Sequence, residues 1–181
     1  MIIPLKAAVL TAGDPSSGGK REDPSGRLLR DLLESLPAEV VAYRVVPDDK
    51  EVLIKTFIHL ADILSCDLIL TIGGTGLGPR DWTPEATREV IEKEIPGISE
   101  AIRESSLKQM PGAMLSRAVA GVRRTSLIIN LPAHPAALKD AFEILRPVLS
   151  SALQLIKGRP ADSGKSPSLS RPPFSEHPLL R

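Results

Sequence analysis

The sequence predicts a three-layer α/β/α domain built on a mainly parallel sheet. Short, nearly continuous apolar runs recur along the chain, as at Leu68–Ile72 and Thr125–Asn130. Runs without polar alternation suit strands buried on both faces, the usual state of a parallel strand. Each run ends in a loop rich in glycine, proline or aspartate. Between the runs, apolar residues recur every three or four positions, as helices that cover a sheet require. Right-handed crossovers then place helices on both faces.

The elements follow in order. Leu5 to Leu10 reads as the first buried strand. Residues 11–26, TAGDPSSGGKREDPSG, have loop composition. Asp14, Ser16, Ser17, Asp23 and Ser25 are polar candidates there, either wrapping a ligand or forming a solvated surface loop. Ser25 can cap the next helix, whose apolar face is Leu28, Leu29, Leu32, Leu33 and Leu36. Glu39–Val46 returns to strand character and stops at Pro47. Asp48 and Asp49 follow, directly before a periodic helix from Lys50 to Leu64. Capping alone accounts for two acids here. In a parallel sheet, however, their loop shares an edge with residues 11–26 and 73–81, which raises Asp48 as a site candidate.

The central stretch is DLILTIGGTGLGPRDWTPEAT, residues 67–87. After the strand, Gly73, Gly74, Gly76 and Gly78 permit backbone approaches that a Cβ would block. Asp81 or Thr83 can cap a helix beginning at Pro84. Strand-end loops of this kind are where open α/β sheets bind ligands, and backbone amides there can face phosphate oxygens. Asp81 can hold Mg2+ or a polar substrate group, or simply cap. Arg80 can meet a phosphate or brace the loop.

Helices are predicted over Glu85–Ile95 and Ile98–Leu107, separated by Pro96 and Gly97. Met110–Ala120 has no single periodicity. Arg117 there can bind an anion or form a surface pair. Gly121 reads as a turn, and Arg123 and Arg124 as a solvated patch. After the strand at 125–130, Asn130 can read a heterocycle edge or pin neighbouring loops, since its amide both donates and accepts. His134 reads as a surface turn residue. Ala136–Leu155 is helical by spacing, with Pro147 placed to kink it. Residues 1–158 are read as one domain and 159–181 as a flexible Pro- and Ser-rich tail.

Composition limits the functions. The chain has 181 residues, 42% hydrophobic, enough for one sizeable core. A formal net charge of +1 demands no polyanion, so no nucleic-acid partner is expected. One cysteine, Cys66, cannot form an intramolecular disulfide or a cysteine-built zinc site, and it reads as inert packing. No segment approaches a membrane span, and residues 1–10 lack the apolar stretch of a secretory signal, so a cytoplasmic protein is expected. The glycine loop is neither a G-x-G-x-x-G fingerprint nor a Walker A loop, lacking the terminal G-K-[ST]. From the residues alone, a nucleotide-handling enzyme and a small-ligand binding module stay open. Paired aspartates favour Mg2+-assisted phosphoryl or nucleotidyl chemistry.

Six collinear motifs resemble the MogA/MoaB family, which includes the G domain of animal gephyrin and its plant counterpart. They are the early SSG…EDPSG loop, VVPDD at 45–49, LILTIGGTGLGPRDWTPEAT at 68–87, PGISEAIRESSL at 96–107, AMLSRAVAG at 113–121 and LIINLPAHPAAL at 127–138. The resemblance covers roughly residues 5–158. It implies a molybdopterin adenylyltransferase that transfers AMP from ATP to molybdopterin, releases pyrophosphate, uses Mg2+ and forms trimers. A molybdenum insertion protein is the implied downstream partner. Asp48 is the implied organiser of metal and phosphate, and Asp81 the positioner of the pterin substrate or metal. Gly73, Gly74, Thr75 and Gly76 would shape the substrate pocket, with Ser105, Ser116 and Arg117 as further substrate contacts. Thr11, Gly13 and Asp14, and the Asn130, Leu131, Pro132, Ala133 and Pro135 turn, fall on the nucleotide side. Some positions depart from the family pattern. Gly13 stands at the usual aspartate place with Asp14 displaced by one. Ala133 replaces the glycine of NLPGxP, where a methyl is expected to restrict a positive-φ turn or narrow the pocket, and Ala136 stands where lysine is common. These departures keep a second reading open: a molybdopterin-binding or assembly protein with weak or no transfer activity. A distinct nucleotide-dependent sugar or cofactor enzyme on the same architecture is the third.

Overall fold

Six strands form one sheet in the order β2-β1-β3-β6-β5-β4. The computed structural model describes residues 4–13 and 23–159. Asp14, Ser16, Ser17 and the expected tail from residue 160 onward lie outside the described residues. The strands are β1 (Leu5–Ala12), β2 (Ala38–Val46), β3 (Leu68–Ile72), β4 (Lys93–Glu94), β5 (Ala120–Arg123) and β6 (Ser126–Leu131). The helices are α1 (Pro24–Glu34), α2 (Lys50–Ile58), α3 (Thr83–Val90), α4 (Pro96–Leu107) and α5 (Pro135–Ile156). Strands β2, β1, β3 and β6 pair in parallel, while β6–β5 and β5–β4 are antiparallel. The fold is therefore the expected three-layer α/β/α with a mainly parallel sheet.

The apolar runs lack alternation because both faces are covered. Ala7 and Val9 of β1, Leu68, Leu70 and Ile72 of β3, and Leu127, Ile129 and Leu131 of β6 join Leu29, Leu33, Leu138 and Phe142 in one core. Their neighbours Ala8, Leu10, Ile69 and Ile128 join Leu53, Phe57, Leu60 and Val90 in the other. Period-two geometry thus sends successive side chains into opposite layers. Helices α1, α4 and α5 cover one face, and α2 and α3 the other.

Local boundaries differ from expectation where tertiary pairing intervenes. Helix α3 ends at Val90 rather than Ile95. The Glu92 amide instead donates to the Val122 carbonyl (2.7 Å) and the Ile95 amide to that of Ala120 (2.7 Å), making this stretch an antiparallel edge. Gly121 lies inside β5. The turn falls one residue after that strand, at Arg124, whose φ of 51° is left-handed. Arg123 is no solvated patch. It donates to both Asp62 carboxylate oxygens and to the Val90 carbonyl, tying β5 to the α2–α3 layer. The helix after Asp49 is α-helical to Ile58 and π-helical from His59 to Ile63. Ser25 does not cap α1. Asp23 does, accepting from the Gly26 amide at 2.8 Å.

Asn130 belongs to this scaffold. Its side chain is fully buried on β6. Oδ1 accepts from the Val119 amide (3.1 Å), while Nδ2 donates to the hydroxyls of Thr71 (3.0 Å) and Thr87 (2.9 Å). The amide stitches β3, β6, α3 and the chain entering β5, leaving it nothing to read a nucleotide with. Asn130→Ala is expected to destabilise the domain by about 2–4 kcal/mol, because it orphans a buried amide N–H and opens a cavity. Urea unfolding measures this; a change under about 0.5 kcal/mol would contradict it.

Candidate functional site

The loops following the parallel strands meet at the carboxyl edge of the sheet. Gly13, after β1, donates its amide to the Val46 carbonyl at the end of β2 (2.9 Å). Asp49 then caps α2, accepting from the Val52 amide at 3.0 Å. The preceding Asp48 turns the other way, and its Oδ1 accepts from the Trp82 amide at 3.1 Å. That bond joins the β2 loop to the β3 loop.

The β3 loop is shaped by its glycines and held by an arginine. Gly73 and Gly74 adopt φ of 90° and 64°, a region where side chains are disfavoured. A Cβ at Gly73 would overlap the Ala12 carbonyl oxygen, and one at Gly74 would overlap Thr83 Oγ1 and Asp48 Oδ2. The loop closes when the Thr83 amide donates to the Gly74 carbonyl (3.1 Å). Neither Asp81 nor Thr83 caps α3 by a side chain; Trp82 is the N-cap residue. Asp81 closes the preceding turn instead, with Oδ2 accepting from the Gly78 amide at 2.8 Å.

Arg117 is the arginine that holds this loop. Its Nε donates to the Gly76 carbonyl (2.7 Å) and its Nη2 to the Asp81 carbonyl (2.7 Å). Its Nη1 pairs with Glu85 Oε1, and its amide donates to the Thr75 carbonyl (3.0 Å). A planar fork with several donors can gather carbonyls in this way, whereas a lysine could not. The guanidinium braces the loop through these bonds.

Electrostatically, the loop edge is strained toward a proton or a cation. Burial pushes the Asp48 carboxyl above its ordinary value, and the charges of Asp81 and Glu85 add to the rise; the Trp82 amide and Arg80 oppose it. A hydroxyl and a carboxylate oxygen here, Thr83 Oγ1 and Glu85 Oε2, are buried without hydrogen-bond partners. Among the described residues no three His, Cys, Asp or Glu side chains come together as a metal cage. Asp48 and Asp81 nevertheless fit the donor set of Mg2+, which takes one or two carboxylates and fills its remaining positions with water and substrate phosphates. Cys66 is no nucleophile: it is buried, and burial and the Asp67 charge push its thiol up to about 11.

On the other side of Thr75 and Gly76 lies an open cleft of about 240 Å3, bounded by α4, the 3₁₀ turn Pro111–Leu115, and the Pro132–His134 turn. Its walls are mostly apolar with a few hydroxyls, as small-molecule sites tend to be. Ser116 lines it, as expected. Ser105 does not; Ser106 does. Helical arithmetic carries that signal, because Ile102 is buried and Ser106 sits one turn beyond it on the same face. Ser99 and Arg103, also unanticipated, lie on that face. Pro132 and Ala133 line the cleft, whereas Leu131 is fully buried core and Pro135 is the first residue of α5. Ala133 does not adopt positive φ. Its carbonyl accepts from Ser25 Oγ at 2.7 Å. His134 lines the cleft's rim.

Known proteins resemble this chain in sequence and fold. A family described as "Probable molybdopterin binding domain" matches residues 8–151. A molybdopterin adenylyltransferase of Helicobacter pylori is 42% identical over 157 residues, covering 85% of this chain and 89% of that protein. The crystal structure of the molybdopterin biosynthesis enzyme MoaB from Thermus thermophilus superposes with a TM-score of 0.79 at 44% identity, over 87% of this chain and 99% of that one. The molybdopterin biosynthesis Mog protein from Mycobacterium ulcerans gives 0.79 at 33% identity, over 87% and 100%.

Proposed function

The chain belongs to the MogA/MoaB family of molybdopterin-binding proteins and adenylyltransferases, and we propose that it transfers AMP from ATP to molybdopterin. The observation that carries this reading is the hydrogen bond from the Trp82 amide to Asp48, which brings the two acidic loops to one edge beside the cleft. Molybdopterin would occupy the cleft, its terminal phosphate directed toward Gly74–Gly76. A phosphate oxygen attacks the α-phosphorus of ATP. The new P–O bond forms as the bond from the α-phosphorus to its bridging oxygen breaks, and pyrophosphate leaves with that oxygen. No covalent enzyme intermediate is required.

Asp48 and Asp81 would hold Mg2+, which when bound offsets phosphate charge and orients the reacting groups. Asp81 serves from a turn fixed by Gly78 and by the Arg117 bond to its carbonyl. Gly13 and the Pro132–Ala133 turn would face the nucleotide by backbone and surface, and Thr11 by its buried hydroxyl. The family also supplies the proposed assembly, a homotrimer, and the proposed partner, a molybdenum insertion protein that takes the adenylylated product. Exposed Trp82, Met114 and Leu115 offer apolar surface for such contacts. Among the described residues no helix is long and apolar enough to cross a membrane.

Purified protein of trimeric mass by light scattering, given molybdopterin, Mg2+ and ATP, should yield adenylylated molybdopterin. A monomeric mass would set the trimer aside. Molybdopterin binding without ATP-dependent turnover would reduce the function to binding or assembly.

A further inference from the structure

Ser99 has a buried hydroxyl that nothing in the domain uses. The residue is 6% exposed, and its Oγ has no hydrogen-bond partner. Buried hydroxyls nearly always find one. A helical serine commonly donates to the carbonyl four residues back, here that of Ile95. No such bond forms here, although that carbonyl accepts only a long bond from the Ile98 amide (3.3 Å) among the turn and cap bonds. The position is therefore not explained by the fold.

Its place on α4 supplies another explanation. Ser99, Ile102, Arg103 and Ser106 follow the i, i+3, i+4, i+7 spacing of one helix face, and all four line the cleft. Arg103 fixes the opposite wall, its Nε donating to the Ser116 carbonyl (3.0 Å) and its Nη2 to that of Ala118 (3.4 Å). The cleft thus has a rigid polar flank, Ser99–Arg103–Ser106, facing apolar Met110, Ala113 and Leu115. An apolar face opposite a row of hydroxyls suits a flat heterocycle whose edge carries both donors and acceptors.

We propose that Ser99 is a substrate-binding residue, its hydroxyl reading the heterocycle edge of molybdopterin. This rests on the adenylyltransferase reading of the site. Ser99 lies on the α4 wall of the cleft, which the Pro132–Ala133 turn also bounds, and its hydroxyl is assigned to the pterin and not to ATP. The hydroxyl stays unpartnered in the free protein and gains its bond only with the substrate in place.

Ser99→Ala in the full chain separates this role from a structural one. Molybdopterin Kd and KM should rise about three- to tenfold, the worth of one hydrogen bond. The KM for ATP and kcat should stay within twofold. The melting temperature should hold or rise, because no internal bond is lost. Unchanged molybdopterin affinity overturns the proposal, as does a lowered melting temperature without an affinity change, which would assign the hydroxyl to the fold. Wild-type protein that binds no molybdopterin would overturn the adenylyltransferase reading and this inference together. Wild-type binding matched by the variant overturns this inference alone.

Discussion

Asp48→Asn is expected to lower AMP transfer roughly a hundredfold or more while leaving the domain at least as stable. Losing one carboxylate from a phosphate-handling site removes several kcal/mol of transition-state stabilisation, and each 1.4 kcal/mol is about tenfold in rate. The fold keeps its bond, because an asparagine Oδ1 can still accept from the Trp82 amide. Stability has a definite sign. Burial, then the charges of Asp81 and Glu85, raises the Asp48 carboxyl in the folded state. The native state therefore holds that proton more tightly than the unfolded chain. The favourable contribution is full below the unfolded value and is lost as pH rises through the folded one. Above the folded value the wild type carries the ionised, disfavoured form and the variant does not. Melting curves should show the variant equal or slightly higher at pH 7, the gap closing in acid below the ordinary carboxylate range. Turnover within twofold of wild type, or a variant less stable at pH 7 than in acid relative to wild type, would remove Asp48 from its proposed role.

Gly74→Ala combines two injuries at one atom. A left-handed φ of 64° costs an alanine about 1–2 kcal/mol. Its methyl would also overlap Thr83 Oγ1 and Asp48 Oδ2. Thr83 is fully buried and cannot retreat, so the Asp48 carboxylate is the group that moves. A displacement of about 1 Å at a reacting site can lose about a hundredfold in rate. The expected variant is folded, measurably less stable in urea, and nearly inactive, with kcat reduced more than KM is raised. An active variant with wild-type stability would mean that the loop is not held against Asp48 as described.

The sheet was legible because its central strands β1, β3 and β6 are buried on both faces, which leaves nearly uninterrupted apolar runs. The two acidic loops were legible for a related reason: parallel topology sends every strand's carboxyl end to one edge. The edge strand β4 was hidden, since two residues paired to β5 leave no periodic trace and the stretch continues a helical pattern. For Asn130 the pinning of neighbouring segments, and for Arg117 an ion pair, were among the tasks the sequence offered, but their partners were not legible. Arg117 meets carbonyls some 36 and 41 positions away in sequence, and Asn130 a threonine 59 positions away. Spacing along one element carries no information about partners on another. Ser106 and Ser99 could have been found, because the face of α4 is set by its own buried Ile102. The expected strain at Ala133 came from a glycine pattern whose conformation this turn does not require.

The decisive measurement is the transfer itself. ATP labelled in its α-phosphate is incubated with the full chain, Mg2+ and molybdopterin, and both products are followed. The label should pass to the pterin compound with one pyrophosphate released per transfer, and neither should form without molybdopterin. Folded protein that leaves the label in ATP, or releases it only as free AMP, would contradict the account.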